Sequence, residues 1–129
     1  LRTGKKCEYH SDTHLQAMIA GLLKKGDCIV AVSNTGSNKE IIDNLAIAKE
    51  NGVNIISITS NKKSPIAKVS DVVLLSYGKE KSFKSEATES KISALAIIDT
   101  LFVAVCLKNK NEYMETVNKI REAIAKKRF

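Results

Sequence analysis

Cys28-Ile29-Val30-Ala31-Val32-Ser33-Asn34-Thr35-Gly36-Ser37-Asn38-Lys39-Glu40 is the stretch that decides the fold. Its first five residues form a continuous apolar run rich in β-branched side chains, bounded by Gly26-Asp27 before and a Ser/Asn/Thr/Gly cluster after. A run that is apolar at successive positions has no solvent face, which marks a strand buried on both sides of a parallel sheet. From Lys39 to Asn51 the apolar residues Ile41, Ile42, Leu45, Ala46 and Ala48 return to helical spacing, and Asn51-Gly52 supplies the stop.

The pattern repeats outward. Val53–Ile58 reads as a second buried strand, Ser64-Pro65 opens a short helical turn with Pro at its first position, and Asp71–Leu75 reads as a third strand. Upstream, Leu15, Met18, Ile19, Leu22 and Leu23 predict an amphipathic helix entered through Ser11 or Asp12 and closed near Gly26, with Lys6–Tyr9 a short strand before it. Downstream of Tyr77-Gly78 comes a polar, Lys-rich stretch. Ile92, Leu95, Ala96, Asp99, Phe102, Val103 and Cys106 then trace one face of a long helix over Thr88–Leu107. A last helix from about Glu112 carries Tyr113, Val117, Ile120 and Ile124 and ends in the basic Lys126-Lys127-Arg128. Apolar strands alternating with helices predict an α/β domain with a parallel sheet and right-handed crossovers.

Composition narrows the rest. A chain of 129 residues with 43% hydrophobic content is the size of one domain. Lys plus Arg (21) minus Asp plus Glu (14) leaves +7, but the positive residues are scattered and aromatics amount to 5%, so the pattern lacks the basic stripe and stacking platforms of a nucleic-acid binder. Cys7, Cys28 and Cys106 lie far apart with no C-x-x-C pair and are expected to be reduced, buried thiols. His10 and His14 are four apart, but Ser11-Asp12 between them reads as a helix start, so no metal site is expected. Charge-free runs such as Ile92–Ile98, which stops at Asp99, fall short of the roughly 20 residues of a membrane span. The opening LRTGKKCEYHSD lacks the apolar region of a secretory signal, and a cytoplasmic location follows by default.

In parallel sheets ligands bind beyond the carboxyl ends of the strands, where helix N-termini attract anions. There Ser33, Asn34, Thr35, Ser37 and Asn38 place five hydroxyl or amide side chains around Gly36. One helix cap needs one such residue, so the cluster reads as an uncharged anion cradle rather than only a capped turn. Thr59, Ser60 and Asn61 end the next strand with the same chemistry, and also fit an ordinary loop. Neither a P-loop nor G-x-G-x-x-G occurs, so no nucleotide cofactor is expected.

The segment Ser33-Asn34-Thr35-Gly36-Ser37-Asn38-Lys39-Glu40 resembles the S-x-S-G-x-T-x-E loop of SIS (sugar isomerase) domains. Ser11-Asp12-Thr13-His14-Leu15-Gln16, Ile97-Ile98-Asp99-Thr100-Leu101-Phe102 and the closing Thr116…Arg121-Glu122-Ala123 are similar to the effector domain of RpiR-type transcriptional regulators. The resemblance covers essentially the whole chain. It implies a three-layer αβα, flavodoxin-like fold, a homodimer, and a sugar phosphate whose phosphate is ligated by Ser33, Asn34, Thr35 and Ser37; the strand-end reading adds Gly36, Asn38, Thr59, Ser60 and Asn61 to the expected site. Lys79, Lys81 or Lys84, or a residue of the second subunit, would add charge. The family's Thr is Asn at position 38, which loses a hydroxyl and keeps a donor.

SIS domains of this family begin with a strand, a G-x-G-x-S loop and a helix, and residue 1 falls where that helix ends. Residues 1–129 are therefore expected to form one SIS domain lacking its first strand, with DNA reached only through a helix-turn-helix domain outside this sequence and no membrane partner. SIS domains also occur in phosphosugar isomerases, the rival reading. An isomerase needs a general base, for which Glu86, Glu89 and His14 are the candidates.

Overall fold

The computed structural model describes residues 2–78 and 88–127. The element order is α1 (Thr13–Leu22), β1 (Cys28–Val32), α2 (Lys39–Glu50), β2 (Asn54–Thr59), α3 (Pro65–Val69), β3 (Val72–Leu75), α4 (Thr88–Lys108) and α5 (Lys110–Ala125). The strands form a parallel sheet in the order β1-β2-β3, in a register that sets Val32 opposite Ile58 and Ile58 opposite Leu74. This is the α/β architecture that the alternating pattern predicts.

The chain divides into two compact units, Leu1–Tyr9 with Ile98–Phe129, and His10–Ile97. The larger unit holds the sheet. Ala31, Leu45, Ile55 and Ile66 form its main core, with Ile29, Ile41, Ile42 and Val69 packed around them, so α2 and α3 cover one sheet face. Ala20 of α1 joins Ala48 and Val53 in a second cluster flanked by Leu23. Lateral bonds fasten α1 to α2, with Asn44 Nδ2 donating to the Thr13 carbonyl at 3.1 Å and Asn51 Nδ2 to that of Ala20 at 3.1 Å. In the smaller unit the Lys5 ammonium donates to both Glu112 carboxylate oxygens at 2.9 and 3.0 Å, and Phe102 meets Tyr113 edge to face.

Several expectations need correction. Lys6–Tyr9 is irregular rather than a strand. Ile19 and Ala20 of α1 and Leu23 just past its end turn inward, while Leu15, Met18 and Leu22 face out. The buried line of α4's first half runs through Ser90, Ser93, Ala94 and Ile97, not Ile92 and Leu95, which are 63% and 66% exposed. With apolar and polar residues both spread around this helix, periodicity has no single face to select. α4 is also long and apolar enough to cross a membrane by length and composition, a property hidden from a search for unbroken charge-free runs because Asp99 interrupts it. Cys106 is buried as expected, but Cys7 and Cys28 are exposed. Cys7 lies in the irregular segment and Cys28 at the start of an edge strand. No described residue pairs with the outer edge of β1, and at that edge Val30 and Val32 are 48% and 49% exposed, while Ile58, opposite Val32 on the same face, is fully buried.

Candidate functional site

The parallel register brings the carboxyl ends of β1 and β2 side by side, and the ladder continues one step further, with the Ser33 N–H donating to the Ile58 carbonyl at 3.0 Å. The next carbonyl, that of Asn34, collects three donors: the Ser60 N–H at 2.9 Å, the Thr59 hydroxyl at 2.9 Å and the Ser60 hydroxyl at 2.7 Å. One main-chain oxygen thus ties the two polar clusters together. Further on, the Gly36 carbonyl accepts from the Ile66 N–H at 3.0 Å. Gly36 has φ +65°, and a Cβ there would fall 2.6 Å from Ser64 Cβ and 2.7 Å from Ile66 Cγ2, so only glycine fits. The loop then enters α2 through Asn38, whose Oδ1 accepts from the Ile41 N–H at 3.1 Å.

What faces solvent follows from this fastening. Thr35, Ser37 and Asn38 are exposed, Ser33 and Asn34 half-buried and Gly36 buried. The Ser37 hydroxyl makes a local bond to the Thr35 carbonyl at 3.3 Å. With the Asn38 oxygen used as a cap, its amide group remains the donor. Around these side chains lie the N–H groups of α2's first turn, which have no intrahelical acceptor and sit at the positive end of the helix dipole. The result is a shallow, uncharged, donor-rich cradle suited to an anion's oxygens.

The structure separates the second cluster by role. Thr59 is fully buried with its hydroxyl on Asn34, which makes it a support of the loop. Ser60 is half-buried and does the same, while Asn61 is exposed and its Oδ1 accepts from the Lys63 N–H at 2.9 Å. His14 is exposed in the first turn of α1. Glu89 is exposed in the first turn of α4, which begins at the same edge of the sheet as the cradle: Ser76 N–H donates to the Thr59 carbonyl at 3.0 Å, and a Cβ on Gly78 would lie 2.7 Å from Glu89 Cβ. Glu86, Lys79, Lys81 and Lys84 fall outside the described residues. Sequence reasoning did not assign a role to Ser64 beyond opening a turn, or to the Asn34 carbonyl. The Ser-Pro step was the available signal for the first, and no main-chain acceptor leaves one for the second.

At the opposite end of the strands, the Asp71 carboxylate accepts from the Lys49 ammonium and, at 2.8 Å, from the Ile55 N–H. The Lys49 hydrogen bond, then that of Ile55, hold this carboxyl below its ordinary value. Partial burial, with the nearby Asp71 charge, pushes the Cys28 thiol up. These groups brace the sheet away from the cradle.

Residues 2–104 match the family model described as SIS domain. An uncharacterized HTH-type transcriptional regulator of Caldanaerobacter subterraneus is 36% identical over 123 residues, which are 95% of this chain and 44% of the relative. The HTH-type transcriptional regulator RpiR of Escherichia coli is 34% identical over 109 residues, 84% of this chain and 37% of its own length. Among solved structures, the Vibrio vulnificus NanR protein complexed with ManNAc-6P aligns with 98% of this chain and 48% of its own at 31% identity and a TM-score of 0.85. The chain spans less than half the length of each of these relatives.

Proposed function

Because the chain belongs to the SIS domain family, we propose that it is the phosphosugar-sensing effector and dimerisation domain of a cytoplasmic transcriptional regulator, holding the ligand's phosphate in the loop from Ser33 to Asn38. The observation that carries this reading is the cradle itself: exposed Thr35, Ser37 and Asn38 at the start of α2, on a loop pinned from behind by Asn34 and Gly36. Neutral donors suit a dianion that must bind and leave, because they bring no opposite charge to be desolvated. The similarity to HTH-type regulators and to a protein solved with ManNAc-6P supports the same reading. A sensor needs the two loops and a second subunit that responds to them. DNA contact would belong to a helix-turn-helix domain, and 1–129 would be a single SIS domain.

The test is thermal stability of the chain against a panel of sugar phosphates, the parent sugars and inorganic phosphate. A ligand that binds only the folded state raises the midpoint by mass action. A rise with one or two sugar phosphates and none with the parent sugars supports the reading; no rise with any member defeats it. The isomerase reading draws on one observation, Glu89 at the sheet edge that carries the cradle, and turnover of a stabilising sugar phosphate in the same panel would decide for it.

A further inference from the structure

Ser64 is the N-cap of α3, with φ −67° and ψ 159°. A serine there ordinarily accepts, through its hydroxyl, the N–H two or three residues on. Here it does not. Pro65 has no N–H, the Ala67 N–H donates to the Ser64 main-chain carbonyl at 3.1 Å, and the Ile66 N–H donates to the Gly36 carbonyl at 3.0 Å. The Ser64 hydroxyl, in a residue 1% exposed, is left without a hydrogen-bond partner among the described residues. Buried hydroxyls are almost always paired, and the natural partner of this one has been taken by the loop lying against it.

We infer that Ser64 is a positioning residue of the cradle: it competes with the Gly36 carbonyl for the single Ile66 N–H, which gives the loop two settings. In the tied setting, the one described, Gly36 caps α3 and the loop is held down. In the released setting the Ser64 hydroxyl caps α3 and the Gly36 carbonyl turns to water. Each setting satisfies the same donor, so their free energies differ by far less than a hydrogen bond lost outright. Glycine at position 36 allows the exchange, since no Cβ blocks the approach of Ser64 in the tied setting. An anion gathered on the loop's donors favours the tied setting, and can do so only by its differential affinity for it. That last step rests on the proposed function; the competition does not.

The experiment is backbone relaxation dispersion by NMR on the chain, with Ser64→Ala and Ser64→Thr, followed by calorimetry with inorganic phosphate. Wild type and Ser64→Thr should show exchange on the microsecond-to-millisecond scale at residues 34–38 and at Ile66. Ser64→Ala, which abolishes the released cap, should quench it and bind phosphate several-fold more tightly, because the competent fraction rises. A merely structural serine would not quench motion in a loop when removed and restore it as threonine. Equal dispersion in Ser64→Ala and wild type, or none in wild type, overturns the inference. Quenching as expected with no phosphate or sugar phosphate bound by any of the three upholds the competition and defeats the anion reading instead.

Discussion

The hydroxyl of Thr59 donates to the carbonyl of Asn34 at 2.9 Å, across 25 positions of sequence, and so fixes the cradle to the end of the neighbouring strand. Thr59→Val keeps the shape and removes the donor, while the Asn34 oxygen retains its two bonds from Ser60. The expected loss is about 1 kcal/mol in urea unfolding, with weaker sugar-phosphate binding because the loop is less fixed.

Gly36→Ala should be much more damaging. The residue would sit at φ +65° with its Cβ driven into Ser64 and Ile66. Left-handed strain and overpacking together predict a loss of about 3 kcal/mol, read as a lowered melting temperature, and loss of ligand-induced stabilisation.

Thr35→Ala should behave in the opposite way. Its side chain is exposed, so stability should stay within about 0.5 kcal/mol of wild type. Sugar-phosphate affinity should drop roughly tenfold by calorimetry, as one bond to a charged ligand is lost, and Ser33→Ala should weaken binding as well. Unchanged affinity in the double variant removes these hydroxyls from the site.

The pH dependence has a definite sign. Asp71 has its carboxyl held below its ordinary value of 3.8, so the folded state binds fewer protons than the unfolded one. Its contribution is present in full above the unfolded value and is lost as pH falls through the lower folded one. In Asp71→Asn the stability gap to wild type should be constant above about pH 5 and close in acid, measured by urea unfolding at a series of pH values.

Leu95→Lys probes the proposed second subunit. Leu95 is 66% exposed on α4 between Ile92 and Ile98, which are 63% and 41% exposed, and such an apolar row is covered in most proteins. If α4 forms the dimer surface, sedimentation should show a monomer with its helix content intact. An unchanged dimer would place the interface elsewhere.

The strands were legible because short runs rich in β-branched residues, as at Ile29–Val32 and Ile55–Ile58, fit no helical spacing; the expected burial on both faces holds for β2 and not for β1, whose Val30 and Val32 are exposed. The cradle was legible because five small polar side chains exceed what one cap requires. Lys6–Tyr9 misled because a short alternating segment becomes a strand only when a partner edge is present, and that is a tertiary fact. The outward side of α4 was hidden for a related reason: Ile92 and Ile97 are equally apolar, and only packing tells them apart. Thr59 and Ser60 look like free hydroxyls in the sequence. Their engagement depends on a main-chain oxygen in another loop, which no side-chain pattern reports.

The strand order β1-β2-β3 is also the order of synthesis. With this order each strand can dock on the edge left by the one before it, and none of the described strands must be threaded between two already in place. Loop closures stay short, which puts this half of the chain toward the fast end for a parallel sheet. The last tether of the cradle, from Ile66 to Gly36, joins residues that both precede α4 and α5 in the chain, so it needs neither helix to form.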